Sequence, residues 1–199
     1  DFALLHLSRN PGIRGILQYP TTTKLDDLPI PDRELTKWRL YGGSKGSGNY
    51  KYLPGTHTYF GRDCWWRKDG GCTFCSWTNT FKNFRVVTPE RAVEEIIACD
   101  RLGIREVFDD TGTFPIGKWL EEFCEKIIKW KEKSCSRIRL GCNMRPGALQ
   151  QREYDLLGRA GFRFILYGLE SANDDTLHRI NKGQSPGDME STLKKAKQA

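Results

Sequence analysis

Residues 61–77 read GRDCWWRKDGGCTFCSW, and the rest of the chain is organised around this stretch. Cys64, Cys72 and Cys75 lie within twelve residues of one another, in a C-x7-C-x2-C pattern that supplies three thiolates. Three thiolates indicate either an iron–sulfur cluster with one open iron or a zinc ion completed by a distant His or Cys. A disulfide is the simpler alternative, but seven cysteines cannot all pair, and no signal for secretion accompanies them.

Length and composition predict one domain of ordinary size with an appended arm. The 199 residues are 38% hydrophobic, and the mean hydropathy is −0.61. No apolar run approaches the ~20 residues of a membrane span, so we expect a cytoplasmic protein without a membrane partner. The net charge of +7 permits an anionic ligand or nucleic acid. Because the basic residues are spread along the chain, a solvated surface is the simpler explanation.

Residues 1–54 are predicted to form an N-terminal arm. Pro- and Gly-rich segments, including GGSKGSG at residues 42–48, favour an extended chain over packed helices. One short strand is expected at residues 15–19. Residues 26–41 are expected to form an ordered connector that packs Leu28, Ile30 and Trp38.

After residue 55 the pattern changes to alternating strands and helices. Thr88 followed by Pro89 marks the start of the first helix, with a hydroxyl N-cap and a proline in the first turn. The predicted strands are residues 56–60, 105–108, 137–142 and 162–169, and each is followed by a loop or an amphipathic helix. Four βα units in a row predict an α/β fold with a parallel sheet and right-handed crossovers.

Polar residues follow the predicted strands, where parallel sheets collect their functional groups. Besides the cysteine loop, these residues are Asp109, Asp110, Asn143, Arg145, Glu170 and Ser171. Taken singly, the Asp-Asp-Thr-Gly segment is an ordinary turn, and Glu170-Ser171 is an ordinary helix cap. Their shared position at one rim favours a site that holds a metal together with a ligand.

These motifs resemble the core of radical S-adenosylmethionine (radical SAM) enzymes. Cys72-Thr73-Phe74-Cys75 is similar to the C-x-aromatic-C ending of that superfamily's cysteine loop, and Phe108-Asp109-Asp110 is similar to its second-strand motif. The superfamily's fourth-strand motif resembles residues 167–171, YGLES, together with the later Leu177, Ile180, Lys182 and Gly183. The common cysteine spacing is C-x3-C-x2-C, so we expect the extra residues of WWRKDGG to bulge outward.

The resemblance implies a partial (βα)6 barrel that binds a [4Fe-4S] cluster and SAM. Cys64, Cys72 and Cys75 would hold the cluster, and reductive cleavage of SAM would give a 5′-deoxyadenosyl radical that abstracts hydrogen. The implied SAM contacts are Phe74 at the adenine, Asp109 and Asp110 at the amino group, Glu170 and Ser171 at the ribose, Arg145 at the carboxylate, and Asn143 in the same site. The implied partners are a small-molecule or peptide substrate and an electron donor such as flavodoxin or ferredoxin.

The N-terminal arm resembles the connector between a cobalamin-binding domain and a radical SAM barrel, through residues 10–16 and 25–33. That resemblance implies a cobalamin-linked enzyme, either a methyltransferase or a ring-forming oxidoreductase. We expect the cobalamin-binding domain to precede Asp1. We also expect the remaining barrel strands to follow Ala199, because the fourth strand otherwise leaves an open edge.

The main alternative is a zinc-containing, basic nucleic-acid-binding module. Aromatic residues beside Arg67 and Lys68 offer stacking platforms and phosphate contacts; they are Trp65, Trp66, Phe74 and Trp77. This alternative explains the loop and the charge. It leaves the convergence of four strand ends unexplained, so nucleic acid is not the expected partner.

Overall fold

A parallel four-stranded sheet lies at the centre of the computed structural model, which describes residue 12 and residues 24–42, 50–80 and 83–199. The strands are β1 (Gly55–Thr58), β2 (Gly61–Arg62), β3 (Arg85–Val86), β4 (Glu106–Asp109), β5 (Arg139–Met144) and β6 (Phe162–Tyr167). The large sheet has the order β1-β4-β5-β6, and every neighbouring pair is parallel, as predicted. The antiparallel pair β2–β3 was not expected from the sequence.

Helices alternate with the strands of the large sheet. They are α1 (Arg39–Gly42), α2 (Ser76–Thr80), α3 (Pro89–Arg101), α4 (Lys118–Ser134), α5 (Gln151–Ala160), α6 (Asp174–Arg179) and α7 (Pro186–Gln198). Helix α3 begins as predicted, since the Thr88 hydroxyl accepts a hydrogen bond from the Arg91 backbone N–H at 3.3 Å. The alternation confirms a partial barrel of about four βα units. Across the described ranges, no helix combines the length and apolar character needed to cross a membrane.

The hydrophobic core lies between the sheet and its covering helices. Side chains alternate along each strand, so Val107 faces this core while Phe108 packs on the opposite face of the sheet. On that face the rings of His57 and Phe164 each lie 5.8 Å from the ring of Phe108, centroid to centroid. Cys99 and Cys124 are fully buried in this core.

The connector before the sheet is fastened to it by Arg33. This buried side chain donates a hydrogen bond to the His57 carbonyl at 3.1 Å and forms an ion pair with Glu95 at 2.7 Å. Trp38 is buried as predicted, whereas Leu28 is 42% exposed, so its predicted packing is wrong. The strand expected at residues 15–19 lies outside the described residues.

Asp109 joins the end of β4 to the chain that follows β1. Its carboxylate accepts hydrogen bonds from the Phe60 backbone N–H at 2.8 Å and from the backbone N–H and hydroxyl of Thr111 at 3.3 and 3.1 Å. The side chain is buried, and this burial raises the pKa of Asp109 to about 7 despite those hydrogen bonds. The carboxyl group therefore positions the segment that leads into the cysteine loop.

The substitution Asp109→Asn should remove a pH dependence from the free energy of unfolding. The pKa of Asp109 rises from about 3.9 in the unfolded chain to about 7 in the fold, so folding favours the protonated acid. The protonated Asp109 makes its full contribution to the free energy of unfolding below about pH 4, and that contribution is lost as the pH rises to about 7. Urea unfolding at about pH 5 and about pH 8 should show a smaller loss of stability in the variant than in the wild type. The exposed Asp27→Asn control should behave as the wild type, and equal losses in all three would contradict the assignment.

Candidate functional site

A cleft of about 660 Å³ lies at the carboxyl ends of β4, β5 and β6, and the cysteine loop lines one side of it. The predicted site residues in its lining are Cys64, Cys72, Phe74, Cys75, Asp110, Asn143, Arg145 and Glu170. Asp109 and Ser171 are not part of the lining. The rim position that parallel strands impose therefore brings together side chains that are distant in sequence.

Cys64, Cys72 and Cys75 are free thiols in this structure, and no disulfide joins any two of them. Burial raises the pKa of the Cys64 thiol, and a backbone hydrogen bond from Trp66 and the positive charge of Arg145 act in the opposite direction. In the part of the chain that the structure describes, no three His, Cys, Asp or Glu side chains converge closely enough to hold one metal ion. A four-iron cluster binds each thiolate to a different iron, so its ligands stand farther apart than those of a single ion. Three free thiols around an open cleft fit that donor set.

The insertion in the cysteine loop packs inward through its two tryptophans, which the predicted outward bulge did not anticipate, while residues 68–70 are exposed. Residues Trp65–Asp69 form a 3-10 helix whose two indole rings are half-buried. The Trp65 indole N–H donates to the Phe114 carbonyl at 3.2 Å, and the Trp66 indole N–H donates to the Asn181 carbonyl at 2.9 Å. Both rings lie beside the buried guanidinium of Arg145.

Asn181 and Gly183, in the segment after α6, contact the insertion. The Asn181 amide donates to the carbonyls of Asp69 at 2.9 Å and Gly71 at 2.7 Å. Gly183 has a φ of +60°, and a Cβ atom added there would lie 2.1 Å from the Trp66 ring. Only glycine combines this backbone conformation with so close an approach.

Arg145 is buried beside the cysteines, at the point where β5 ends. Its guanidinium lies 4.2 Å from the ring centroid of Trp66 and 5.7 Å from that of Trp65. It donates to the Cys72 sulfur at 3.7 Å and to the Lys182 carbonyl. Arg145 thus connects the cysteine loop, the end of β5 and the segment after α6.

Asp110 faces the cleft and is held by neutral donors. The Asn143 amide donates to one carboxylate oxygen at 2.8 Å, and the Tyr59 hydroxyl donates to the other at 3.2 Å. The same Asn143 amide also donates to the Thr111 carbonyl at 3.2 Å. Asn143 therefore orients the one acidic side chain of the predicted Asp pair that reaches the cleft.

Glu170 forms an ion pair with Lys182 at 3.0 Å, between the oxygen and the nitrogen. Glu170 lines the cleft three residues after β6 and adopts a positive φ of 62°, in the left-handed region. Lys182 is buried and lies 5.9 Å from the ring centroid of Phe74. Sequence reasoning did not select Lys182 as a site residue, although it stands within the motif that follows α6.

The two remaining predicted residues support the rim from outside the cleft. Asp109 holds the Phe60 backbone and Thr111, as described above. The Ser171 hydroxyl accepts a hydrogen bond from the Asn173 backbone N–H at 3.1 Å, just before α6. Direct ligand contact by either residue stays a prediction.

The chain matches a known protein family and named relatives in sequence. The family model of the radical SAM superfamily matches residues 58–199. This region includes the cysteine loop, all of β4, β5 and β6, and only the last residue of β1. An uncharacterized methyltransferase of Pyrococcus horikoshii is 25% identical over 195 residues, or 97% of this chain and 39% of that protein. The chain thus spans about two fifths of the length of this curated relative.

Solved structures have the same fold. The apo form of OxsB, a cobalamin-dependent S-adenosylmethionine radical enzyme, matches with a TM-score of 0.68 at 14% identity, over 98% of this chain and 30% of that one. TsrM of Kitasatospora setae, a radical S-adenosylmethionine methyltransferase with tryptophan substrate and a SAM analogue bound, matches with a TM-score of 0.66 at 14% identity. That match covers 82% of this chain and 30% of TsrM. At these identities the similarity establishes the fold alone.

The substitution Gly183→Ala should displace Trp66 from Arg145. The added methyl group meets the indole ring at 2.1 Å and also strains a left-handed backbone, at a cost of about 1–3 kcal/mol in stability. Gly103→Ala is the matched control, because it has a φ of +81° with open space around the added carbon. Acrylamide quenching should report more exposed tryptophan in Gly183→Ala than in Gly103→Ala. Equal quenching and equal stability in the two variants would show that Trp66 does not pack against Gly183.

Proposed function

The chain belongs to the radical SAM superfamily, and from this premise we propose that its cleft binds a [4Fe-4S] cluster and SAM. The proposed reaction is reductive cleavage of SAM to methionine and a 5′-deoxyadenosyl radical, which abstracts hydrogen from a small-molecule or peptide substrate. The cluster supplies the electron when it is bound, and a donor such as flavodoxin or ferredoxin delivers that electron to the protein.

One observation carries the proposal: three thiols from a single short loop line the same cleft as the polar side chains that follow three different strands. Cys64, Cys72 and Cys75 would hold the cluster through three of its irons. Three protein ligands leave the fourth iron open for a ligand from the adjoining part of the cleft.

The side chains opposite the cysteines suit the parts of SAM. The exposed ring of Phe74 offers a stacking surface for adenine. Asp110 offers a carboxylate to the amino group, and Glu170 offers acceptor oxygens to the ribose hydroxyls. Asn143 and Lys182 orient these two carboxylates, while Asp109 and Ser171 hold the loops behind them.

Within the superfamily, we assign the chain to the cobalamin-linked class and favour methyl transfer over oxidative cyclisation. The names of its relatives support this assignment, because one is named an uncharacterized methyltransferase, OxsB is named a cobalamin-dependent enzyme and TsrM is named a methyltransferase. The resemblance of the N-terminal arm to a cobalamin-domain connector points the same way. A domain outside residues 1–199 would supply the cobalamin site.

Anaerobic reconstitution of the intact protein tests the proposal directly. The expected product is brown protein with about four irons and four sulfides per chain that forms 5′-deoxyadenosine from SAM after reduction. Colourless protein with one zinc would overturn the assignment in favour of the zinc module. Methyl transfer is tested separately, by following the labelled methyl group of SAM with and without added cobalamin.

Replacing Cys64, Cys72 or Cys75 singly by Ala should abolish the four-iron cluster. Each thiol faces the cleft from one loop, and the other cysteines are either in the core or exposed away from this lining. Iron and sulfide analysis with the visible absorption spectrum measures the outcome. Cys99→Ala and Cys124→Ala, both in the core, should retain their iron. A full cluster in Cys64→Ala would show that another residue is the first ligand.

Replacing Glu170 by Ala should weaken SAM binding without a loss of iron. The variant lacks an acceptor for the ribose hydroxyls, at a cost of about 1–3 kcal/mol in the free energy of SAM binding. That cost corresponds to roughly 5- to 150-fold weaker affinity. Calorimetry on cluster-loaded intact protein measures it, with Glu190→Ala as the control that breaks an exposed ion pair on α7. Unchanged affinity in Glu170→Ala would remove this residue from the SAM site.

A further inference from the structure

Arg145 is a buried cation whose contacts direct it to the cysteines. It is 7% exposed, and its guanidinium lies over the Trp66 ring at 4.2 Å, well within the range of a cation–π contact. One N–H group donates to the Cys72 sulfur at 3.7 Å, and the other end of the fork donates to the Lys182 carbonyl. The orientation of the guanidinium is therefore fixed from three sides.

The charge of Arg145 has no acidic partner of the usual kind. Within residues 24–42, 50–80 and 83–199, no carboxylate lies within ion-pair distance of this side chain. A buried charge is costly unless an opposite charge compensates it. Arg145 contacts the Cys72 sulfur, which would be a negatively charged thiolate as a cluster ligand. The three cysteines would therefore supply the negative charge that compensates Arg145.

The insertion in the cysteine loop provides the ring that holds this cation. Trp66 is itself fixed by its hydrogen bond to the Asn181 carbonyl and by the close approach of Gly183. Arg67, from the same 3-10 helix, pairs with buried Asp63 and donates to the Trp77 carbonyl at 3.1 Å. These two contacts attach the 3-10 helix to the residue before Cys64 and to a residue just after Cys75.

We propose that Arg145 sets the reduction potential of the cluster, and that Trp66 is the positioning residue that keeps the guanidinium on Cys72. The inference rests on the proposed function. A bound cluster would gain one negative charge when it is reduced by one electron. A fixed positive charge and a hydrogen bond to a ligating sulfur both stabilise the more negative state, which raises the potential.

The test is a potentiometric titration of cluster-loaded intact protein, followed by electron paramagnetic resonance. The variants are Arg145→Met, Arg145→Lys, Trp66→Leu and Trp66→Phe. Arg139→Met is the matched control, because it removes an arginine from the opposite end of β5, where the guanidinium also lies over an aromatic ring, that of Tyr52, at 5.7 Å.

Arg145→Met should shift the midpoint to a more negative potential with iron content unchanged, and Trp66→Leu should shift it in the same direction by less. Arg145→Lys, which keeps the charge, and Trp66→Phe, which keeps a ring, should restore part of each shift. Arg139→Met should have the wild-type potential. Three results would overturn the proposal: an unchanged potential in Arg145→Met, an equal shift in Arg139→Met, or loss of iron in Arg145→Met, which would make Arg145 a requirement for assembly. A wild-type protein that takes up no cluster at all would instead overturn the proposed function itself.

Discussion

Parallel strands in fixed register must end at the same edge of their sheet, and this constraint decides where each functional side chain lies. Asp109 of β4 is paired with Cys142 of β5, and Met144 of β5 is paired with Tyr167 of β6. The residues that follow these strand ends therefore meet at one rim. The chain after β1 must cross the same rim, and Asp109 fastens it there through the Phe60 backbone.

The features that the sequence predicts best are those set by local pattern. Alternating β-rich and amphipathic segments predicted the four parallel strands. Hydrophobic residues repeat differently in strands and in helices, and the connections between the segments are short. The C-x7-C-x2-C spacing predicted that one loop carries three thiols to one place. Thr88 and Pro89 predicted the start of α3, since capping depends on neighbouring residues alone.

Features set by contacts between distant segments were not predicted. Trp66 is 115 positions from Asn181, and Arg145 is 73 positions from Cys72, so no local pattern reports either contact. The inward packing of the insertion follows from those contacts. The sequence does contain a pattern that distinguishes Asp109 from Asp110. Alternation along the strand places Asp109 on the same face as the core residue Val107, so Asp110 is the one of the two that can face the rim.

The pairing of charges in the cleft distinguishes its two carboxylates. Lys182 lies against Glu170, so much of that negative charge is already compensated, and what remains on offer is a hydrogen-bond acceptor. Neutral hydroxyl groups, such as those of a ribose, suit such an acceptor. Asp110 instead receives its hydrogen bonds from the neutral donors Asn143 and Tyr59, and no Lys or Arg among the described residues forms an ion pair with it. An ammonium group is the better partner for that charge, which agrees with the proposal that the amino group of SAM binds at Asp110 and its ribose at Glu170.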